Sequence, residues 1–120
     1  ALNALVFLAE LGLPGQVQEA LVLAGGAIPY EVTHLVDLPP VRALVPLPLT
    51  IFTAMFLHGG FLHVIGNMWF LWLFGDNVED RLGRVRFVLF YLLTGVVAAL
   101  AQSLMMPGSR IPMIGASGAV

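Results

Sequence analysis

The chain has 120 residues, of which 59% are hydrophobic and 10% charged, and seven acidic and five basic residues give a formal net charge of -2. Soluble domains usually carry about 25% charged residues, so this composition predicts a membrane protein. The basic residues form no patch that could neutralise phosphates, which excludes a nucleic acid partner. The absence of cysteine excludes disulfides and thiolate metal sites, and we expect neither a metal nor another cofactor.

The first segment, residues 1–13, is apolar apart from Asn3 and Glu10 and is too short to span a bilayer alone. It lacks the basic start and the A-x-A-like cleavage site of a signal peptide. We interpret it as the second half of a transmembrane helix, with a signal peptide or a surface helix as alternatives. On this interpretation residues 1–120 form one partial membrane domain of a longer protein.

Residues 14–56 contain six of the eight prolines, so no long helix is expected there. Residues 16–24 have apolar side chains at the spacing of a short amphipathic helix. We predict a partly structured cap at the outer boundary of the membrane.

Residues 57–75 contain no Asp, Glu, Lys or Arg and are long enough to cross a bilayer as a helix. His63 and Asn67 interrupt this apolar run at i, i+4 spacing, which places both on one helix face. Burying such groups without partners is costly, so they should face protein or a water-filled cavity. The simplest interpretation is that they hold neighbouring helices together.

The charged stretch 76–86 contains three of the five arginines and predicts a turn on the cytoplasmic side. Residues 87–106 then form the clearest spanning helix. Gly95, Ala99 and Ser103 recur every four residues along it and predict a stripe for close helix packing.

Residues 107–112 predict a turn on the outer side, and 113–120 resemble the opening of another membrane helix. Ser117 lies between Gly115 and Gly118 in a G-x-S-G sequence. Glycines leave a serine hydroxyl uncovered, and a helix start offers free N–H groups and a positive dipole end to a developing anion. Ser117 is therefore a candidate nucleophile, although G-x-S-G alone is weak evidence because such residues are common in membrane helices.

Three motifs occur in a specific order along the chain. They are H-x4-H-x3-N at His58, His63 and Asn67, then E-x-R-x-G at Glu79, Arg81 and Gly83, then G-x-S-G at Gly115 to Gly118. Together they resemble the rhomboid intramembrane serine proteases, over about residues 29–120. The resemblance implies an all-α membrane bundle with a six-helix core, of which this chain holds the end of helix 1, the long outer loop, helices 2 and 3 and the start of helix 4.

The resemblance also implies roles for individual residues. Ser117 would be the nucleophile of a dyad with a histidine on the sixth helix. His63, Asn67 and the Ser117 backbone N–H would form the oxyanion hole. His58 would be structural, near the start of the second helix, and Glu79 and Arg81 would hold the cytoplasmic turn together.

The chain departs from this pattern at two points. The Trp-Arg pair often found in the first loop is not recognisable near residues 48–52, and no histidine follows Ser117, so the general base is not in these 120 residues. His34 is expected to be a solvated loop residue rather than a substitute base. Two other interpretations stay open: an inactive rhomboid-like protein that binds membrane clients, and a multi-span channel or scaffold subunit.

The resemblance to the proteases further implies a transmembrane protein substrate within the lipid bilayer. We predict a multi-pass protein of the bacterial inner membrane, with the site opening to the outer side. The sequence does not define an oligomeric state.

Overall fold

The computed structural model describes residues 2–120, which form helices joined by short irregular segments. The α-helices are α1 (Leu2–Leu11), α2 (Gly15–Gly25), α3 (Pro29–His34), α4 (Thr50–Ala54), α5 (Phe61–Leu82) and α6 (Arg84–Met105). Two single 3-10 turns, Leu47–Leu49 and Ala116–Gly118, complete the regular structure of these residues. The all-α class expected from the sequence is confirmed.

The two longest elements, α5 and α6, form a helical hairpin. Each has 22 residues, which corresponds to about 33 Å at 1.5 Å per residue. The break between them is Gly83 alone, whose φ of 78° suits a residue without a Cβ. Its N–H donates the last helical hydrogen bond, to the Glu79 carbonyl at 2.7 Å, and its positive φ then ends α5.

The prediction of a turn over residues 76–86 is therefore wrong except at Gly83. Residues 76–82 continue α5, because none of them breaks a helix and their charged side chains are mostly exposed. The spanning helix predicted to start at residue 87 begins at Arg84 instead. At the other end, residues 57–60 are not helical, and α5 starts at Phe61.

The first helix is attached to both members of the hairpin. Phe7 makes an edge-to-face contact with Phe61 of α5, with ring centroids 5.2 Å apart. The Asn3 side-chain amide donates a hydrogen bond to the Tyr91 hydroxyl of α6 at 3.1 Å. These contacts pack α1 as part of the bundle.

Residues 14–56 have the interrupted structure expected from their prolines, and the amphipathic helix expected at 16–24 is confirmed as α2. Ala27, Ile51 and Ala54 form a small buried core, with Val32, Val96, Ala99 and Met113 packed around it. The small-residue stripe of α6 faces this region rather than another long helix. Gly95 lies against the Met55 side chain, and Ser103 is fully buried.

Among residues 2–120, α6 is the one helix that has both the length and the apolar composition of a membrane span. α5 has the same length, but its histidine, asparagines and charged C-terminal turns lower its mean hydropathy. Both helices expose large apolar side chains, including Leu62 at 89%, Trp72 at 68% and Leu104 at 74% of their surface. Such a surface suits lipid rather than water.

Candidate active site

Ser117 lies in the 3-10 turn Ala116–Gly118 and is exposed. Gly115, just before this turn, has a φ of 105°, a conformation that side-chain-bearing residues rarely adopt. The sequence predicts that a membrane helix opens at this point, and residues 116–118 form one 3-10 turn there.

His63 and Asn67 lie on the face of α5 that meets this turn. A Cβ added at Gly115 would overlap Nε2 of His63 and would lie 3.4 Å from Nδ2 of Asn67. The glycine therefore permits a close approach between the backbone ahead of Ser117 and both side chains. The i, i+4 spacing of His63 and Asn67 produces this convergence, because it places both on one side of the helix.

His63, Asn67 and Ser117 line one groove of about 450 Å³. Its other walls are formed by Leu62, Gly66, Phe70 and Val120. Asn67 is only 7% exposed. Its Nδ2 atom is buried and has no hydrogen-bond partner among residues 2–120. A buried amide donor without a partner is costly, and it can stabilise an acceptor placed in the groove.

His58 is hydrogen-bonded to the backbone of the turn that contains Ser117. Its Nε2 accepts a hydrogen bond from the Ala116 N–H at 3.4 Å, and its Nδ1 lies 3.3 Å from the Phe56 carbonyl. An accepting Nε2 requires the tautomer in which Nδ1 carries the proton and donates to Phe56. Burial lowers the pKa of His58, with a smaller opposing contribution from the Phe56 hydrogen bond. The neutral ring is thereby favoured.

The second motif lies at the other end of α5, away from Ser117. The ion pair here joins Glu79 to Arg84 across the Gly83 break, at 3.4 Å. Arg81 is exposed and forms no ion pair among the residues that the structure describes. This motif is therefore separated from the Ser117 groove.

Gly118 is closely packed, because an added Cβ would lie 2.9 Å from Cβ of Ala98 on α6. His34 is exposed at the end of α3 and stacks on Tyr30, with ring centroids 4.2 Å apart. It does not line the groove that contains Ser117.

The backbone contacts that hold the Ser117 segment were not predicted. The Gly115 N–H donates to the Ala54 carbonyl at 2.8 Å. Ala27 and Met113 form an isolated antiparallel bridge. Every residue except proline carries the same main-chain donor and acceptor, so no side-chain pattern could have indicated these pairs. Within residues 2–120, no cluster of three or more potential metal ligands is present.

The arrangement combines an exposed serine with side-chain donors on a neighbouring helix of a membrane-type fold. Comparison with known proteins gives the same family as the sequence motifs. The family model for the rhomboid domain matches residues 48–120, which is more than half of the chain. The chain belongs to the rhomboid family of membrane proteins.

Relatives from plants and bacteria match over nearly the same length. Rhomboid-like protein 11, chloroplastic, of Arabidopsis thaliana is 43% identical over 68 residues, covering 57% of this chain and 24% of the relative. RHOMBOID-like protein 6, mitochondrial, of the same plant is 37% identical over 68 residues, 57% of this chain and 22% of the relative. "Putative rhomboid protease YdcA" of Bacillus subtilis is 34% identical over 68 residues, 57% of this chain and 34% of the relative.

The matched part of the chain thus covers only about a quarter to a third of these relatives. The comparison with solved structures finds no match.

Proposed function

We propose that the full-length protein is an intramembrane serine endopeptidase that cleaves transmembrane substrates. Ser117 is the nucleophile, and His63, Asn67 and the Ser117 backbone N–H are the oxyanion donors. The general base is a histidine outside residues 1–120. The observation that carries the proposal is the groove in which the buried, unpartnered Nδ2 of Asn67 and the exposed Ser117 occur together.

In the proposed reaction, Ser117 Oγ attacks the scissile carbonyl carbon as its proton passes to the base. The carbonyl oxygen becomes an oxyanion that accepts hydrogen bonds from His63, Asn67 and the Ser117 N–H. Collapse of this intermediate breaks the peptide C–N bond, and the base returns the proton to the leaving amine. Water then hydrolyses the acyl-enzyme and restores the Ser117 hydroxyl.

The test is cleavage of a transmembrane reporter by the purified full-length protein, measured per folded molecule. Ser117→Ala should reduce cleavage to background, whereas Ser109→Ala, which removes a hydroxyl from the adjoining turn, should retain it. Equal cleavage by wild type and Ser117→Ala would exclude the proposed nucleophile. Residues 1–120 alone should not cleave, since the base normally contributes about 10²- to 10⁴-fold.

A second candidate function is an inactive rhomboid-like protein that binds membrane clients, since names such as "Rhomboid-like protein 11" do not include the word protease. The intact set of Ser117, His63 and Asn67 favours the enzyme. A wild-type protein that captures the reporter without cutting it would favour the client-binding function.

We also propose that the groove opens on the non-cytoplasmic side of the membrane, because three exposed arginines flank the Gly83 break at the opposite end of α5. Single cysteines at Pro40 and Arg84 should react with a membrane-impermeant reagent from opposite sides. Reaction of both from one side would contradict the orientation. The chain has no native cysteine, so labelling is specific to the introduced sites.

A further inference from the structure

The segment that leads to Ser117 is held by a closed set of hydrogen bonds between three parts of the chain. The Ala27 N–H donates to the Met113 carbonyl at 3.1 Å, and the Met113 N–H donates back at 2.8 Å. Gly115 donates to the Ala54 carbonyl of α4 at 2.8 Å. Thr53, also in α4, donates through Oγ1 to the Gly25 carbonyl at 2.5 Å. We call residues 25–27, 53–54 and 113–115 the backbone triangle.

Gly26 is the position in the backbone triangle where an added Cβ would meet atoms that cannot rotate away. A Cβ at this residue would lie 2.5 Å from the Val22 carbonyl oxygen, 2.9 Å from Cβ of Pro112 and 3.2 Å from Cγ2 of Ile114. The first of these atoms is backbone, and the second belongs to a rigid ring, so neither yields by side-chain rotation. A methyl group at Gly26 must therefore separate the end of α2 from the segment that leads to Ser117.

The position of Ser117 depends strongly on this support. Among the residues described, its hydroxyl makes no hydrogen bond within the standard distance. The segment after it is held on α6, where Gly118 packs on Ala98 and the Thr94 hydroxyl donates to the Ala119 carbonyl at 3.5 Å. The anchors immediately ahead of it are Met113, Gly115 and Ala116. The last of these is held by the 3.4 Å contact with His58.

We infer that Gly26 and Ala27 are positioning residues that set the place of Ser117 relative to His63 and Asn67. This inference rests on the proposed function and adds to it that the end of α2, in the outer cap, controls the geometry of catalysis. A misplacement of about 1 Å at a reacting group can reduce the rate by about 10²-fold. Ground-state substrate binding in the groove does not require the same accuracy, so the effect falls on kcat rather than KM.

The first test compares Gly26→Ala with Gly15→Ala in the full-length protein. Both change a glycine of the α2 region, but a Cβ at Gly15 meets no atom within 4 Å. Gly26→Ala should lower kcat by about 10- to 100-fold, with little change in KM. It should slow labelling of Ser117 by a fluorophosphonate in proportion, whereas Gly15→Ala leaves both unchanged. Normal kcat and labelling in folded Gly26→Ala would overturn the inference.

A second variant tests the same inference if Gly26→Ala does not fold. Thr53→Val keeps the shape of the side chain and removes the hydroxyl that donates to the Gly25 carbonyl and to the Thr50 carbonyl of its own helix. Thr33→Val, which likewise removes a hydroxyl bonded to carbonyls of its own helix, is the matched control outside the backbone triangle. Thr53→Val should also reduce kcat and labelling, by a smaller factor than Gly26→Ala. An effect on melting temperature alone, with normal kcat, would reduce the backbone triangle to a purely structural feature.

Hydrogen exchange separates this inference from the proposed function. Gly26→Ala should accelerate exchange of the Met113 and Gly115 amides whether or not the protein cleaves a substrate. If wild type shows no cleavage that depends on Ser117 but exchange still accelerates, the proposed function fails and the structural coupling holds. If wild type cleaves and exchange in the variant is unchanged, the positioning inference fails by itself.

Discussion

The α5–α6 hairpin differs in burial from the short segments that support Ser117. In α6 only Gly95 and Ser103 of 22 residues are buried, and in α5 only Val64, Asn67 and Gly75. By contrast, residues 24–29 are buried without interruption although they include a helix end and a turn. The protein interior is thus formed largely by short segments, and the long helices present most of their surface outward.

This difference shows where sequence changes should have large effects. The hairpin satisfies its backbone internally, as any helix in lipid must, and its outward side chains have few protein neighbours. The short segments satisfy their backbone groups through contacts between distant residues, such as Ala27 with Met113. A change in the second region therefore alters several contacts at once.

Among changes that leave the nucleophile in place, the largest effect is expected from removing an oxyanion donor. Asn67→Ala should lower kcat by about 10²- to 10³-fold, equivalent to about 2.7 to 4 kcal/mol. His63→Ala should be comparable, and the double variant should lose less than the sum because the two donors act on one oxygen. Turnover per folded molecule is the measurement, with melting temperature in detergent recorded for each variant.

The opposite interpretation, in which these residues only hold helices together, predicts a lower melting temperature with normal specific activity. Normal turnover per folded Asn67→Ala molecule would remove Asn67 from the site.

A smaller effect on stability is expected at Gly115. Gly115→Ala places a methyl group on His63 and forces an L-residue into positive φ, a conformation that costs about 1 to 3 kcal/mol. Gly60→Ala is the control, because a Cβ there meets no atom within 4 Å. Thermal unfolding in detergent should separate the two, and equal melting temperatures would contradict the packing described at Gly115.

A pH effect of smaller size is expected from His58, which lies ahead of α5. Its pKa is lowered by burial in the folded protein, so the unfolded chain takes up the proton first as pH falls. The stability that depends on a neutral His58 is full above its ordinary pKa of about 6.5. It decreases as pH falls from there towards the lowered pKa.

Melting temperature measured between pH 7.5 and pH 5 tests this expectation. His58→Gln should flatten the dependence in this range, and His34→Gln, at an exposed position, should leave it as in wild type. A dependence that survives in His58→Gln would assign it to another group.

The smallest effect is expected on the outward face of the hairpin. Leu89 is 61% exposed, and Leu89→Ala should change the free energy of unfolding by less than about 0.5 kcal/mol. Ile51→Ala, at a residue only 5% exposed, should cost about 2 to 5 kcal/mol. Equal losses in the two variants would remove the contrast between hairpin and short segments.

Sequence reasoning worked where a side-chain pattern determines the structure. The apolar run of α6 and the amphipathic spacing of α2 gave those helices to within a few residues. The i, i+4 spacing of His63 and Asn67 predicted their common face. The side-chain pattern did not reveal that Gly83 alone separates the long helices, because charged residues suggest a loop although they are compatible with a helix.

The backbone contacts that support Ser117 could not be predicted from a side-chain pattern. Ala27 and Met113 are ordinary apolar residues, and their pairing uses only main-chain atoms. The form of the Ser117 turn depends on how residues 113–115 are held, and therefore on contacts far away in the sequence. The G-x-S-G motif indicates the chemistry but not this geometry.

The hydrogen bond between Asn3 and Tyr91 has a consequence for the order of assembly during synthesis. Its partners are 88 residues apart, and ribosomes add about 5 to 20 residues per second. At these rates the ribosome adds Tyr91 about 4 to 18 s after Asn3. Throughout that interval the amide of the first helix must rely on water or other temporary partners, so α1 obtains this polar attachment only after α6 has been made.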